Sequence, residues 1–328
     1  MYVTQATQAG TPDVLQYTQT EAPSPGPGQV LVRTGAIGVN FIDTYHRSGV
    51  YPMDFPLVPG LEGAGTVSAV GEGVTTAAEG DRVAWATSAS GSYAQQVLVD
   101  ADHALPVPDE VELTTAAAVP LQGMTAQMLT DGVVSLEPGQ TVLLTAGAGG
   151  VGLLLTQLAT AAGARVITTV STPEKEELSR QAGAAAVIRY DQLGNLTEEL
   201  PAQVRELTGG VGVDVAYDGV GKDTFDASLA SVRPRGMLVL FGGASGQVPP
   251  FDLQRLNSAG SLFVTRPTLF HYIADPEERR LRAGTVFAAV RTGALNVRIG
   301  AEYPLAEAAE AHRALENRRT TGKVLLLP

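Results

Sequence analysis

Three glycines in the middle of the chain have the spacing that allows a backbone to bind an anion. Gly147, Gly149 and Gly152 form the single G-x-G-x-x-G of the sequence, between an apolar run at 141–146 and a helical pattern at 153–159. In such a turn the first glycine permits the sharp bend, the second lets the backbone approach a pyrophosphate, and the third lets helix and strand pack closely. The helix N-terminus then faces the anion. The order of strand, glycine turn, helix and strand predicts dinucleotide binding.

The end of the next apolar run, 165–170, indicates which dinucleotide is bound. Enzymes that use NAD usually have an Asp or Glu there, which binds the adenosine ribose hydroxyls. This chain has Ser171-Thr172-Pro173, so no carboxylate repels a 2′-phosphate. Lys175 lies one turn into the next helical pattern, and Tyr190 ends the strand that follows. The combination favours NADPH, although Lys175 alone is equally typical of a solvated helix surface.

The sequence pattern of the elements that position these residues changes twice along the chain, near Gly123 and near Arg266. The first part is rich in Gly and Pro and has short β-type runs, which predicts a mainly antiparallel β domain. In the middle part, β-branched runs alternate with helical patterns, which predicts a parallel sheet built from βαβ units. Its six candidate strands, the number in a doubly wound Rossmann domain, are 141–146, 165–170, 186–190, 213–217, 237–241 and 261–265.

The last part of the chain contains helical patterns at 277–289 and 305–315 and an apolar run at 324–327. We expect it to return to the first domain and complete it. The prediction is therefore an α/β protein with a discontinuous catalytic domain, residues 1–122 and 266–328, and a cofactor domain, residues 123–265.

Composition excludes several classes of chemistry. The 328 residues include no cysteine, which removes disulfides, thiolate metal sites and thiol nucleophiles, and the four histidines lack metal-ligand spacing. A net charge of −12 opposes nucleic acid as the main partner. No apolar run approaches the ~20 residues that span a bilayer, and the N-terminus lacks a targeting pattern. We expect a cytoplasmic protein without a membrane partner.

Two segments resemble a known superfamily, the medium-chain alcohol dehydrogenases: Gly38–Tyr45 (GVNFIDTY) and Pro59–Gly65 (PGLEGAG). Where its zinc-dependent members have Cys and His ligands, this chain has Asn40 and Leu61. The match from about Leu31 to the C-terminus is closest to the zinc-independent quinone oxidoreductases, the family that includes zeta-crystallin. Further matching segments are Arg47–Pro52, Gly242–Gly246, Val264–Pro267 and Arg318–Lys323.

The resemblance implies a GroES-like catalytic domain, NADPH as cofactor, no metal, and a quinone or other small electrophilic acceptor. Relatives commonly form homodimers through edge strands of the cofactor domain. Residues 40–45, 241–242 and 264–266 are assigned to the nicotinamide, and Arg318 joins Lys175 at the 2′-phosphate. Motif and resemblance together imply these cofactor-binding residues: Asn40, Phe41, Asp43, Tyr45, Gly147, Gly149, Gly150, Val151, Gly152, Ser171, Lys175, Tyr190, Phe241, Gly242, Val264, Thr265, Arg266 and Arg318.

A quinone needs little activation because its ring is already electron-poor. The protein must hold the dihydronicotinamide against a flat acceptor and offer hydrogen-bond donors where oxygen gains charge. Asn40, Tyr45 and Tyr51 are the candidate catalytic residues. Each also has a structural interpretation, since the tyrosines could be packing residues and Asn40 could, with Asp43, cap the helix that follows.

Two other functions remain open on the sequence. Reduction of an activated double bond, in an enone or alkenal, uses the same cofactor geometry and adds a proton at the carbon α to the carbonyl. A non-catalytic NADPH-binding protein, structural or regulatory, is the alternative of another class. Turnover of quinones and enones with NADPH distinguishes the three, and nothing in the sequence separates hydride transfer from one-electron transfer.

Overall fold

The structure, a computed structural model, describes residues 1 to 328. Its strands are β1 (Tyr2–Ala6), β2 (Leu15–Gln19), β3 (Gln29–Val39), β4 (Glu62–Val70), β5 (Arg82–Trp85), β6 (Gln96–Asp100), β7 (Leu105–Pro106), β8 (Thr141–Leu144), β9 (Arg165–Val170), β10 (Ala186–Arg189), β11 (Val213–Asp218), β12 (Val232–Leu240), β13 (Phe263–Thr265), β14 (Ile299–Pro304) and β15 (Lys323–Leu327). Its α-helices are α1 (Phe41–Ser48), α2 (Leu113–Ala117), α3 (Pro120–Gln127), α4 (Gly150–Ala161), α5 (Pro173–Gln181), α6 (Leu196–Leu207), α7 (Phe225–Ser231), α8 (Gln254–Ser258), α9 (Leu269–Tyr272), α10 (Pro276–Arg291) and α11 (Ala308–Glu316).

These elements form two compact units. Unit 1 consists of Met1–Met124 and Ile273–Pro328, and unit 2 consists of Thr125–Tyr272. No helix combines the length and the apolar character needed to cross a membrane.

The parallel sheet of unit 2 has six strands in the order β10-β9-β8-β11-β12-β13. Every neighbouring pair is parallel. Its strands are short apolar runs because helices cover both faces of such a sheet. The order of strands reverses between β8 and β11, and ligands of open α/β sheets bind beyond the carboxyl ends of the strands at this switch point. The predicted doubly wound sheet is confirmed.

Six predicted strand ends differ from the structure. β11 runs on to Asp218, β12 spans Val232–Leu240 instead of 237–241, and the other three differences have a cause in the backbone. β8 ends at Leu144, and Ala146 has a φ of 55°, which turns the chain away from the sheet before the glycines. β10 ends at Arg189, and Tyr190 begins a single 3-10 turn. The last strand begins at Phe263 because Ser261, with a φ of 57°, bends the preceding segment. Backbone turns at the strand ends, which hydrophobicity does not reveal, account for these three differences.

Unit 1 is built on a seven-stranded sheet, in which β14-β15-β3-β4-β5-β7 lie side by side and β6 pairs with β3. All pairs are antiparallel except β14 with β15, which confirms the mainly antiparallel β domain. One face of β3 packs Val30 and Val32 against Trp85 and Val97. Further along, Ile37 packs with α11 and β15. The long β3 therefore joins both cores and leads directly into α1.

Candidate active site

The glycine turn lies at the carboxyl end of β8, and its three glycines have different surroundings. A Cβ atom on Gly147 would lie 2.5 Å from the Cβ of Thr168, and one on Gly152 would lie 2.3 Å from the carbonyl oxygen of Ala146. At Gly149 the nearest atom to such a Cβ is the same oxygen, at 3.2 Å. The outer glycines are therefore required by packing inside the protein, whereas beside Gly149 that backbone oxygen is the one atom within 4 Å.

The backbone beside Gly149 presents hydrogen-bond donors. Gly149 is the N-cap of α4, so the N–H groups of Gly150, Val151 and Gly152 have no acceptor within the helix. These donors and the helix dipole favour an anion at this end. This side of the turn thus fits the pyrophosphate of a dinucleotide.

The residues expected at the 2′-phosphate follow two neighbouring strands. Val170 of β9 pairs with Arg189 of β10, so Ser171 and Tyr190 leave the sheet side by side. Lys175 lies in the first turn of α5, where its N–H donates to Oγ1 of the N-cap Thr172 over 3.3 Å. Each of the three side chains is partly exposed. Arg318 belongs to unit 1, where it is exposed, with a φ of 58°, two residues after α11.

The loops after β11 and β12 touch closely at the switch point. The N–H of Phe241 donates to the carbonyl oxygen of Asp218 over 2.8 Å. A Cβ on Gly219 would lie 2.8 Å from Cζ of the Phe241 ring, and one on Gly242 would lie 2.2 Å from the oxygen of Gly219. The phenyl ring thus occupies the space that a side chain at position 219 would need.

The remaining nicotinamide candidates of unit 2 lie beside these loops. Val264 and Thr265 are in β13, paired with Leu238 and Val239 of β12. Arg266 Nη1 donates to the carbonyl oxygen of Leu240, the last residue of β12, over 3.2 Å. The sheet therefore brings residues 241–242 and 264–266 together at one edge.

In unit 1, one face of α1 carries an aromatic cluster. The spacing of four residues places Phe41 and Tyr45 together, with ring centroids 6.0 Å apart. Gly49 ends the helix with a φ of 82°, and the chain returns so that Tyr51 packs edge to face on Tyr45, with centroids 5.4 Å apart. All three rings are half-buried. They form a partly exposed apolar surface with two phenol groups.

Asn40 precedes this helix and is 3% exposed. Its Nδ2 donates to Glu62 Oε2 over 2.6 Å, and its Oδ1 accepts from Lys323 Nζ at 2.9 Å and from Gln122 Nε2 at 3.1 Å. Lys323 also donates to Glu62, and both of these charged groups are buried. Since its amide is engaged within the protein, the geometry favours a positioning role for Asn40 over direct donation to an acceptor.

Asp43 caps the same helix and is fully buried. Its Oδ2 accepts from the N–H of Asn40 at 2.9 Å and from the Tyr93 hydroxyl at 3.0 Å, and burial raises the pKa of Asp43 to about 7. With its proton directed to Asp43, the Tyr93 oxygen accepts from Nε2 of His312 at 2.9 Å. Burial, assisted by the charge of Arg47, lowers the pKa of His312 to about 3.

Several residues of this site were absent from the sequence expectations. Glu62, Lys323, Tyr93 and His312 form the buried polar network of unit 1, and Asp218 lies at the switch point of unit 2. The sequence did contain one indication of these residues, a charged residue next to an apolar run. Lys323 precedes the run 324–327, and Asp218 follows the run 213–217. Their partners are distant in sequence, so no spacing reveals them.

The glycine turn generates one prediction. Gly149→Val should weaken NADPH binding by about 100-fold or more, since a branched side chain would block the anion from donors worth about 1.5–3 kcal/mol each. The fold should persist because the φ of Gly149, −74°, suits any residue. Titration of NADPH fluorescence checks the affinity, and circular dichroism checks the fold. As a contrast, Gly152→Ala should lower Tm, and unchanged NADPH affinity in Gly149→Val would contradict the assignment of the turn.

The pKa of His312 generates a second prediction. The native value is about 3 and the ordinary value is 6.5, so the unfolded chain alone binds this proton between those pH values. The contribution of the neutral ring to the stability of the folded state is fully present above pH 6.5, and it is lost as the pH falls toward 3. Glutamine at position 312 cannot titrate. The free energy of unfolding of His312→Gln, relative to that of wild type, should therefore rise by about 2 kcal/mol when the pH is lowered from 7.5 to 5.

Denaturant unfolding of both proteins at the two pH values measures this difference. Asp43 acts with the opposite sign, because its raised pKa makes the native state bind the proton between pH 7 and 3.8, and both proteins carry this residue. The exposed His271→Gln is the control and should differ from wild type equally at both pH values. A His312→Gln difference that does not change with pH would refute the prediction.

Comparison with known proteins gives consistent matches along the chain. The family model of the alcohol dehydrogenase GroES-like domain matches residues 26–109, and that of the zinc-binding dehydrogenases matches residues 150–274. A quinone oxidoreductase of Pseudomonas aeruginosa is 46% identical over 97% of this chain and 97% of its own. A 2-haloacrylate reductase of a Burkholderia species is 42% identical over 97% and 96%. The solved Escherichia coli quinone oxidoreductase complexed with NADPH is 40% identical, with a TM-score of 0.95 over 100% of both chains.

The second family description names zinc, but this chain lacks the ligands. Leu61 has no donor atom, Asn40 is engaged with Glu62 and Lys323, and no group of three or more His, Asp or Glu side chains is placed to hold a metal ion. The chain belongs to the quinone oxidoreductase family of the medium-chain dehydrogenase/reductase superfamily.

Proposed function

We propose that the protein is an NADPH-dependent quinone reductase that works without a metal. The observation that carries this proposal is the glycine turn of β8 and α4, which is closely packed at Gly147 and Gly152 and has a single backbone oxygen within 4 Å of a Cβ at Gly149. In a member of the quinone oxidoreductase family, a turn of this kind supports a bound dinucleotide. We assign the cofactor to unit 2 and the acceptor surface to unit 1.

Unit 2 holds the cofactor at both ends. When bound, NADPH supplies the reducing equivalents. The N–H groups of residues 150–152 bind the pyrophosphate, and Ser171, Lys175 and Tyr190 recognise the 2′-phosphate. The loops at residues 219–221 and 241–242, with residues 264–266, hold the nicotinamide end. These residues orient the cofactor and exclude water, since the acceptor itself is reactive enough.

Unit 1 offers the acceptor an aromatic surface. Phe41, Tyr45 and Tyr51 provide half-buried aromatic faces for a quinone ring, and the two phenols can donate to a quinone oxygen as it gains negative charge. Asn40 and Asp43 hold the start of α1 from the buried side, so they keep this surface in place. No group here has to act as a strong acid, which agrees with a quinone as acceptor.

Reduction of an activated double bond is the second candidate, and the Burkholderia relative, named a 2-haloacrylate reductase, favours it. That reaction also adds a proton at the carbon α to a carbonyl. The phenols of Tyr45 and Tyr51 are the candidate donors on the aromatic surface. The same framework thus serves either acceptor, and the acceptor's own chemistry decides which is reduced.

The direct test is turnover by the purified protein after exhaustive chelation. NADPH oxidation is followed with benzoquinone and naphthoquinone in one arm, and with 2-chloroacrylate and simple enones in the other. We expect quinone reduction at full rate in the presence of EDTA. Preferred reduction of the alkenes would support the second candidate, and NADPH binding without any turnover would indicate a non-catalytic protein. Zinc present in equal amount, with loss of activity on its removal, would contradict the metal-free proposal.

We also propose that the protein is a homodimer that pairs through β13. This strand ends the sheet and is hydrogen-bonded on one side, to β12. Phe263 is 59% exposed and Val264 is 37% exposed, and such an apolar edge is a template for another strand. A second copy would cover it. Sedimentation should give the mass of a dimer for wild type and of a monomer for Phe263→Glu, and a monomeric wild type would refute the proposal.

Cofactor choice provides the next prediction. A charge-assisted hydrogen bond to phosphate is worth about 1.5–3 kcal/mol, so Lys175→Ala should weaken NADPH by about 10- to 100-fold and leave NADH unchanged. Wild type should prefer NADPH in kcat/KM. Adding Arg318→Ala, which the family resemblance assigns to the same phosphate, should remove the preference.

Measuring kcat/KM with NADPH and with NADH for each protein separates a loss of phosphate recognition from a general loss of activity. Arg180→Ala is a matched control, because Arg180 lies in the last turn of the same helix and pairs with Glu176. It should leave both coenzymes unchanged. Equal losses for NADPH and NADH in Lys175→Ala, or a wild type that prefers NADH, would overturn the assignment.

A further inference from the structure

Asp218, the last residue of β11, is a fully buried carboxylate whose hydrogen-bond partners are all neutral. Oδ1 accepts from the N–H groups of Val220 at 2.8 Å and Gly221 at 3.0 Å. The Thr224 hydroxyl reaches Oδ1 at 2.8 Å and Oδ2 at 2.7 Å, and the Ser228 hydroxyl donates to Oδ2 over 2.6 Å. A buried anion without a counter-ion is costly unless donors surround it, so this set is built for the carboxylate.

These donors come from separate segments around the switch point. Thr145, just after β8, contacts Oδ1 at 3.4 Å, and its Oγ1 accepts from the N–H of Gly219 at 3.0 Å. The backbone oxygen of Asp218 accepts from the N–H of Phe241 at 2.8 Å and of Gly242 at 3.3 Å. One residue therefore links the end of β8, the loop after β11, the start of α7 and the loop after β12.

The loops that Asp218 links have almost no freedom to repack. Gly242 lies so close to the backbone of Gly219 that position 242 cannot carry a side chain, and the Phe241 ring covers Gly219. A small shift of the loop after β11 would therefore displace Phe241. Burial of an apolar residue at position 218 would cost less free energy than burial of a charge. An apolar residue, however, could not hold the N–H groups of residues 220 and 221 in one place.

We propose that Asp218 is the positioning residue of the nicotinamide-side wall, which we define as residues 219–221 and 241–242. Its carboxylate fixes both loops of the wall in one arrangement, so that the reacting end of the cofactor is held in a single pose. The inference rests on the proposed function, because that function assigns these loops to the nicotinamide. It concerns one end of the cofactor and leaves the adenosine end, at residues 171–190, unaffected.

The test removes single donors and leaves the buried charge in place. Ser228→Ala deletes the 2.6 Å bond to Asp218. Ser231→Ala is the matched control, because Ser231 lies on the same helix, is equally buried and donates instead to the oxygen of Ala227 over 2.7 Å. Thr224→Val removes the hydroxyl that contacts both carboxylate oxygens, and Thr224→Ser restores it.

Three quantities are measured: kcat with a quinone, Kd for NADPH, and Kd for adenosine 2′,5′-bisphosphate, which represents the adenosine end alone. Ser228→Ala and Thr224→Val should lower kcat by about 10-fold or more, since small misplacements of reacting groups have large effects on rate. They should weaken NADPH while leaving the bisphosphate unchanged. Ser231→Ala should match wild type in all three quantities, and Thr224→Ser should recover kcat.

Equal effects of Ser228→Ala and Ser231→Ala would overturn the inference. A parallel loss of affinity for NADPH and for the bisphosphate would also overturn it, because that pattern indicates general loosening of unit 2. If wild type reduces no acceptor, the proposed function fails separately. The ratio of the two Kd values then still decides the role of Asp218, since it requires no turnover.

Discussion

Backbone N–H groups can bind a phosphate only where no side chain stands between them and the ligand, and the arrangement of unit 2 depends on this constraint. Gly149 meets it by leaving space beside the start of α4, while Gly147 and Gly152 let strand and helix approach closely enough to form the turn. The parallel sheet serves the same requirement. Its strands end together at one edge, so the glycine turn, the end of β9 and the loops of the switch point all face one ligand-binding side.

A second constraint, the cost of burying charge, shapes both units. In unit 1 the buried Lys323, Glu62 and Asn40 satisfy one another, and Arg47, in the last turn of α1, is paired with Glu316 at 2.6 Å. In unit 2 a single carboxylate is satisfied by neutral donors. Removing one hydrogen-bond partner of a buried charge costs more stability than the contact contributes, because the charge is then left unpaired. Polar networks of this kind select one arrangement of the loops and helices that they join.

The sequence was sufficient for the parts of the fold that depend on local pattern. The glycine turn and the six strands of unit 2 are visible without a structure, because each is a matter of residue type at a fixed spacing. The replacement of Cys and His ligands at Asn40 and Leu61 is what the family resemblance implies. The contact between position 219 and the Phe241 ring, by contrast, is visible only in the structure.

The buried networks could not be predicted, because their members are far apart in the chain. Lys323 and Asn40 are separated by 283 residues and Tyr93 and His312 by 219. Residue type alone made Asn40 equally suitable as a donor to a ligand and as a helix cap. Its three partners within the protein, which no spacing indicates, favour a structural part for this residue.

A crystal structure of the protein with NADPH tests the central claim most directly. We predict pyrophosphate oxygens within hydrogen-bond distance of the N–H groups of Gly150 and Val151, the 2′-phosphate beside Ser171 and Lys175, and the nicotinamide ring beside Phe241 and Gly242. A pyrophosphate bound away from the glycine turn, or a nicotinamide away from the loops that Asp218 links, would contradict the account.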